Sequence, residues 1–119
     1  MKQQELEDRL INFSVSIVQL TNNMPGSTAS VNLINQITRS STAPALMYAE
    51  ACSAESRQDF IHKMHIGLKE LRETKTSLRL ILLNQYSSGP LINELLNESD
   101  QLVRIFAKSV STAERNRLK

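Results

Sequence analysis

The chain has 119 residues, a formal net charge of +2 and a single cysteine. This length suffices for one hydrophobic core, so we expect a single domain over residues 1–119. Three glycines and three prolines leave little sequence for turns, and strand-forming runs are missing, which favours an all-α fold. The lone thiol, Cys52, excludes an intrachain disulfide and suits a reducing compartment.

The start of the chain and its apolar runs predict where the protein works. Residues 1–10 are charged and lack the apolar stretch of a signal peptide. No run approaches the roughly 20 apolar residues that a membrane-spanning helix needs. We therefore expect a cytoplasmic protein that has no membrane partner.

The first predicted helix covers residues 4–22 and carries two apolar lines. Spacing of four and three residues along the main line is typical of a bundle helix. The members of this line are Leu6, Leu10, Phe13, Ile17 and Leu20. A second line beside it consists of Ile11, Val15 and Val18. The turn-forming run at residues 22–26, which contains a proline and a glycine, ends the helix.

The second predicted helix covers residues 28–51 and starts at a capping residue, either Ser27 or Thr28. Pro44 has no backbone N–H, so we expect it to kink or break this helix. The apolar positions of the helix are Leu33, Ile34, Ile37, Met47 and Tyr48.

The third and fourth predicted helices cover residues 56–86 and 90–111. Ser56 and Asp59 have the spacing of a capping box, and Pro90 suits the first turn of the fourth helix. We expect the polar residues after position 111 to fray. The apolar positions are Phe60, Ile61, Met64, Leu68, Leu71, Leu78, Ile81 and Leu82, then Ile92, Leu95, Leu102, Phe106 and Val110, with Ser99 in the same line. Short turns between long helices predict an antiparallel up-down-up-down four-helix bundle.

Basic residues on the last two helices are candidates for contact with nucleic-acid phosphates. They are Arg72, Lys75, Arg79, Arg104 and Lys108. The first three lie three or four residues apart, on one stripe of the third helix. Acidic residues at positions 70 and 73 partly neutralise the stripe, and a solvated helix face is the alternative interpretation. The aromatic residues look like core anchors, so any RNA or DNA contact is expected to ignore base sequence.

Surplus apolar residues predict that the chain assembles with copies of itself. The first helix has two adjacent apolar lines where one suffices, and the third helix doubles its apolar positions. The candidate interface residues are Ile11, Val15, Val18, Phe60 and Ile61. The alternative is a wide stripe that faces the core of one subunit. Docking of a different protein on the first helix is a third hypothesis.

Asp59, His62 and His65 form the best candidate for a metal site, because their spacing places them on one helix face. Di-iron bundles need two such motifs and carboxylates from two further helices. The chain has one motif and no further histidine. We therefore predict no catalytic, cofactor-binding or metal-binding residues and a non-enzymatic protein; a metal-binding bundle enzyme that uses these three residues is the alternative.

Four segments of the chain resemble a known family. They lie at residues 36–40 (QITRS), 48–51 (YAEA), 55–63 (ESRQDFIHK) and 67–74 (GLKELRET). In this order and spacing they resemble the bacterial four-helix-bundle protein family, also called the ribosomal-RNA intervening-sequence protein family. The likeness is densest over residues 36–82, and the apolar first and last helices extend it over nearly the whole chain.

This resemblance implies an antiparallel bundle that often assembles as a barrel-like homopentamer. Some members are encoded in intervening sequences of the large ribosomal RNA gene. A related group, the accessory variability proteins of diversity-generating retroelements, binds reverse transcriptase and nucleic acid through a basic surface. The resemblance implies no catalytic residues, and it leaves the molecular role of most members unknown. We therefore expect a homo-oligomeric scaffold or adaptor that contacts RNA or DNA.

Overall fold

Four α-helices form the fold in the computed structural model, which describes residues 1–117. The helices are α1 (Gln3–Thr21), α2 (Thr28–Cys52), α3 (Arg57–Leu83) and α4 (Pro90–Arg117). Each helix contacts its two neighbours around a ring, so that α1 touches α2 and α4 while α3 touches the same two from the other side. The predicted all-α four-helix bundle is confirmed. None of the described helices is long and apolar enough to cross a membrane.

Ion pairs between the helices reveal their relative directions. Arg39 of α2 pairs with Glu70 of α3 at 3.0 Å, and farther along α2 Glu50 pairs with Lys63 at 2.9 Å. Residue numbers rise along α2 while their partners' numbers fall along α3, so these two helices are antiparallel. The contacts between α3 and α4 follow the same order: His65 with Glu114, and Lys75 with Asp100.

The predicted apolar lines form the core of the bundle. All five main-line residues of α1 are buried, and so are all six predicted positions of α4, including Ser99. Phe106 is completely buried, and its ring lies 6.0 Å from the ring of Tyr48 on α2. Burial of these side chains supplies the main driving force for folding, at about 25 cal/mol for each Å² of apolar surface removed from water.

The capping serines of α2 and α3 are in place, and of the predicted capping box at Ser56 and Asp59 the structure shows the hydrogen bond that Ser56 accepts. The Ser27 hydroxyl accepts a hydrogen bond from the backbone N–H of Ser30 at 3.4 Å. The Ser56 hydroxyl accepts one from the backbone N–H of Asp59 at 3.0 Å. Each cap satisfies one of the amides that the first turn of a helix leaves without a partner.

Pro44 lies inside α2, where we expected a kink or a break. Pro44 does not break α2, which runs without interruption from Thr28 to Cys52. Its ring is buried against the core, and burial of that apolar ring offsets the hydrogen bond lost at this position. The small residues Ser40 and Ser41 just before it are also buried, and the Thr74 hydroxyl of α3 donates to the Ser40 hydroxyl at 2.9 Å.

The predicted end of α3 at residue 86 was three residues too late. Gln85 adopts a left-handed backbone conformation with φ of 61°. The N–H of Gln85 donates to the carbonyl of Leu82, and the N–H of Tyr86 donates to the carbonyl of Ile81, both at 3.0 Å. These two bonds define a Schellman motif, which usually has glycine at the position of Gln85.

The end of α4 was predicted too early, at residue 111. The helix continues to Arg117 because its last turns pack along the start of α3. His65 lies 3.0 Å from the Glu114 carboxylate, and the Arg57 guanidinium donates to the Asn116 carbonyl at 2.8 Å. These polar contacts give the segment partners that a fraying tail would lack.

Gly67 allows α3 and α4 to approach each other closely. A Cβ atom at this position would lie 2.6 Å from Cε2 of Phe106, whose ring is held on every side by the core. Gly67→Ala is therefore expected to destabilise the fold by about 1–3 kcal/mol through overpacking, even though alanine favours a helix by about 1 kcal/mol. Urea unfolding followed by circular dichroism measures this change.

Gly26 provides the matched control, because a Cβ atom there would meet no atom within 4 Å. Gly26→Ala should leave the free energy of unfolding within about 0.5 kcal/mol of the unmodified value. Equal stability of the two variants would contradict the close contact between Gly67 and Phe106.

Candidate functional site

The basic stripe of α3 is only partly available to a polyanion. Arg72 and Arg79 are exposed, and neither forms an ion pair with a described residue. Lys75 lies between them and contacts the Asp100 carboxylate of α4. Hydrogen bonding by Lys75, together with the nearby charge of Arg104, lowers the pKa of Asp100 below its ordinary value of 3.8. This pair therefore stabilises the fold above that pH and contributes progressively less as the pH falls below it.

The acidic residues beside the stripe, Glu70 and Glu73, pair with a residue of α2, whereas their sequence positions suggested that they neutralise the stripe. Arg39 of α2 donates hydrogen bonds to Glu70 at 3.0 Å and to Glu73 at 2.5 Å. These two carboxylates are therefore neutralised by α2, and they leave the charge of Arg72 less compensated than their sequence positions indicate.

The α4 members of the candidate set lie in two different environments. Arg104 is exposed and lies near Asp100, beside the α3 stripe. Lys108, one turn later, is exposed and lines a groove at the end of the bundle where α1 begins. Lys108 therefore lines the groove, whereas Arg104 lies beside the α3 stripe.

The candidate interface residues separate into two groups. Ile11, Val15 and Val18 are 46%, 52% and 40% exposed, so the second apolar line of α1 faces away from the core. Ile61 is only 6% exposed and Phe60 is half-buried against the core. The expectation of an outer apolar position was wrong for Ile61, because α3 turns its side chain inward and buries it. Phe60 stays partly accessible.

One half of the bundle carries almost no charge. No charged residue occurs from position 10 to position 38, and the segment from 76 to 97 contains only Arg79 and Glu94. These two segments meet at the end of the bundle that holds the α1–α2 and α3–α4 turns, and we call them together the low-charge end. Most of the exposed large apolar side chains lie there: Ile11, Val15, Val18, Val31, Leu80 and Leu83.

Ion pairs mark the border of the low-charge end. Arg9 of α1 makes a two-pronged contact with Glu98 of α4, at 3.0 and 2.6 Å. Lys75 and Asp100 lie at a similar level of the bundle on the other side of α4. In the sequence, this division is indicated by the long run without charged residues. The helical periodicity of apolar residues does not reveal it.

The metal-site candidate is not assembled in the structure. Within the described part of the chain, no three histidine, cysteine or acidic side chains lie close enough together to hold a metal ion. His65 instead lies beside Glu114, and His62 is exposed. Asp59 donates its backbone N–H to the hydroxyl of the capping residue Ser56.

Tyr48 and Cys52 lie side by side at the groove that Lys108 lines. Burial raises the pKa of Tyr48 to about 12, and a hydrogen bond with the neighbouring Cys52 thiol is the second cause of this increase. The phenol therefore keeps its proton at neutral pH and remains a hydrogen-bond donor. Cys52 itself is exposed and forms no disulfide.

Comparison with known proteins agrees with this fold. The sequence model of the 23S rRNA-intervening sequence protein family matches residues 2–108. A crystal structure at 1.70 Å of a protein with unknown function from the S23 ribosomal protein family of Bacteroides thetaiotaomicron is similar, with a TM-score of 0.83 and 30% sequence identity. The alignment covers 93% of this chain and 99% of that one. No curated protein matches the chain.

Proposed function

Because the chain belongs to the 23S rRNA-intervening sequence protein family, we propose that it is a non-enzymatic scaffold or adaptor of the cytoplasm that assembles with copies of itself. The observation that carries this proposal is the low-charge end, where apolar side chains such as Val15 and Leu83 are exposed to water without charged neighbours in the sequence. Depletion of charge and exposure of apolar area together are typical of subunit interfaces.

A closed ring is the form of assembly that these positions favour. In a ring, one surface of each copy meets a different surface of the next copy. The α1 face supplies one apolar surface through Ile11, Val15 and Val18, and Leu80 and Leu83 of α3 supply apolar positions for another. A homopentamer, which the family resemblance implies, is our proposed subunit number.

Light scattering at micromolar concentration tests the proposed assembly. A mass of at least twice the 13.4 kDa of one chain supports it, and a ring of five copies gives five times that mass. A mass of 13.4 kDa contradicts it and favours docking of a different protein on the same surface.

Contact with RNA is the second part of the proposal, and the free cations of α3 support it. Arg72 and Arg79 have exposed guanidinium groups that no described carboxylate neutralises. Guanidinium groups bind phosphate oxygens well because their N–H groups match the geometry of the phosphate. Repetition of these groups around an assembled ring would multiply a contact that is weak in one copy.

Replacing Arg72 and Arg79 together by Gln is expected to weaken binding to single-stranded RNA and to reduce its salt dependence. Each phosphate contact contributes about 0.7 to the slope of log Kobs against log salt, so loss of two contacts should reduce the slope by about 1.4 per chain. Fluorescence anisotropy with a labelled RNA at several salt concentrations measures both quantities.

Lys2→Gln is the matched control, because Lys2 is an exposed cation just before α1, away from Arg72 and Arg79. It should leave the slope unchanged. The mass of each variant is measured in parallel, since Arg79 lies within the low-charge end. Absent or salt-insensitive binding by the unmodified protein would contradict RNA contact and would leave the assembly proposal intact.

A further inference from the structure

A groove at the charged end of the bundle has no part in the proposed assembly or RNA contact. It lies where α1 and α3 begin and where α2 and α4 end, and it has a volume of about 810 Å³. Small-molecule sites in proteins typically have volumes of ~300–1,000 Å³. Its apolar lining includes Leu6, Tyr48, Phe60 and Ile105. The groove therefore offers an apolar surface of the right size for a small organic ligand.

The charges that line the groove have one sign. Arg57 and Lys108 are the charged side chains among its lining residues, and no carboxylate is among them. Lys108 forms no ion pair with a described residue. Arg57 uses one N–H for the Asn116 carbonyl, which leaves its other N–H groups for a second acceptor. Glu7 is close enough to influence the pKa of Tyr48 but does not line the groove.

Neutral hydrogen-bond donors accompany the two cations. The phenol of Tyr48 belongs to a side chain that is only 8% exposed, yet this side chain lines the groove. Its neighbour Cys52 is a weak acceptor, so a carboxylate oxygen would be a better partner for the phenol. Hydroxyl groups of Ser109 and Thr112 line the same groove.

We propose that this groove binds a small amphipathic carboxylate, whose hydrocarbon body packs on Leu6, Phe60 and Ile105 while Lys108 and Arg57 hold its carboxylate. The apolar lining favours this ligand over a polyanion such as RNA, because a polyanion binds to a row of cations that contact its successive phosphates. The two cations distinguish it from a neutral hydrocarbon, because they would stay without a partner under an uncharged ligand.

Cys52 provides the test, because it is the single cysteine and it lines the groove. Decanoate, below its micelle concentration, is the probe, and the measurement is the rate at which iodoacetamide alkylates Cys52. Decanoate is expected to slow alkylation in a saturable manner. Decanol, which has the same length without the charge, should require about tenfold more ligand for the same protection.

Variants locate the carboxylate. Lys108→Gln is expected to raise the Kd for decanoate about tenfold while it leaves that for decanol unchanged. Lys69→Gln, which removes an exposed lysine outside the groove lining, should change neither. Unaltered alkylation in decanoate, equal protection by decanol, or equal effects of the two lysine variants would each overturn the proposal. The proposal would also be overturned if alkylation of Cys52 slowed as the protein concentration rose but did not change with decanoate. The groove would then be a contact between copies.

Discussion

Replacing Val15 by Asp is expected to reduce the mass of the protein in solution to the 13.4 kDa of one chain. Val15 lies at the centre of the outer apolar line of α1 and is 52% exposed in the single subunit. An aspartate there remains hydrated in the monomer, and an exposed substitution usually changes stability by no more than about 0.5 kcal/mol. In an interface, the same carboxylate would lose its water without gaining a cation, which costs several kcal/mol.

Leu46→Asp is the matched control for this experiment. Leu46 is 62% exposed on α2, but it lies outside the low-charge end. The substitution introduces the same charge at a similarly exposed apolar position, so we expect the assembled mass to persist. If Val15→Asp keeps the mass of the unmodified protein, or if both variants dissociate equally, the outer face of α1 is not the specific interface.

Replacing Phe106 by Ala is expected to lower the free energy of unfolding by about 3–5 kcal/mol. Phe106 is completely buried at the level where α2, α3 and α4 meet, with the Tyr48 ring on one side and Gly67 on the other. The surrounding structure relaxes only partially into the space that the ring leaves, so a cavity remains and adds to the loss. Since domains of this size are stable by only about 5–15 kcal/mol, this loss removes a large part of the total. Urea unfolding measures it.

Phe60→Ala makes the same chemical change at a half-buried position. It should cost clearly less, because part of the Phe60 ring is already in contact with water and the truncated site opens to solvent. Comparable losses in the two variants would contradict the central position of Phe106 in the core.

Much of the fold could be predicted from apolar periodicity. Ile92, Leu95 and Leu102 repeat at spacings of three and seven residues, which a helix brings to one face and a strand divides between two faces, and all three are buried. Helix ends were less predictable, because tertiary contacts decide them. The bonds from Arg57 and His65 that hold the end of α4 join residues that lie far apart in the sequence.

The surfaces were harder to predict than the core. Periodicity identifies Ile61 as apolar, but it does not reveal whether the residue fills the core or faces outward, and the structure buries it. Pairing between helices is equally hidden, since the register of α3 against α4 decides that Lys75 meets Asp100. The low-charge end was visible in the sequence only as a long absence of charge, which acquires meaning once the four helices place residues 10–38 beside residues 76–97.

The two ends of the bundle have different proposed roles within one small domain. The low-charge end is proposed to join copies, and the groove at the charged end is proposed to bind a carboxylate. Arg9 with Glu98 and Lys75 with Asp100 lie where the two halves meet, and they tie α4 to α1 and to α3. Mutations at either end should therefore separate assembly from carboxylate binding in the groove.

The mass of the unmodified protein at low and high salt tests the central claim most directly. An interface made by apolar side chains is little affected by ionic screening, so sedimentation equilibrium should give the same multiple of 13.4 kDa at about 0.1 M and about 1 M salt. A mass of one chain at both salt concentrations, or an assembly that dissociates as salt rises, would contradict a low-charge interface between copies.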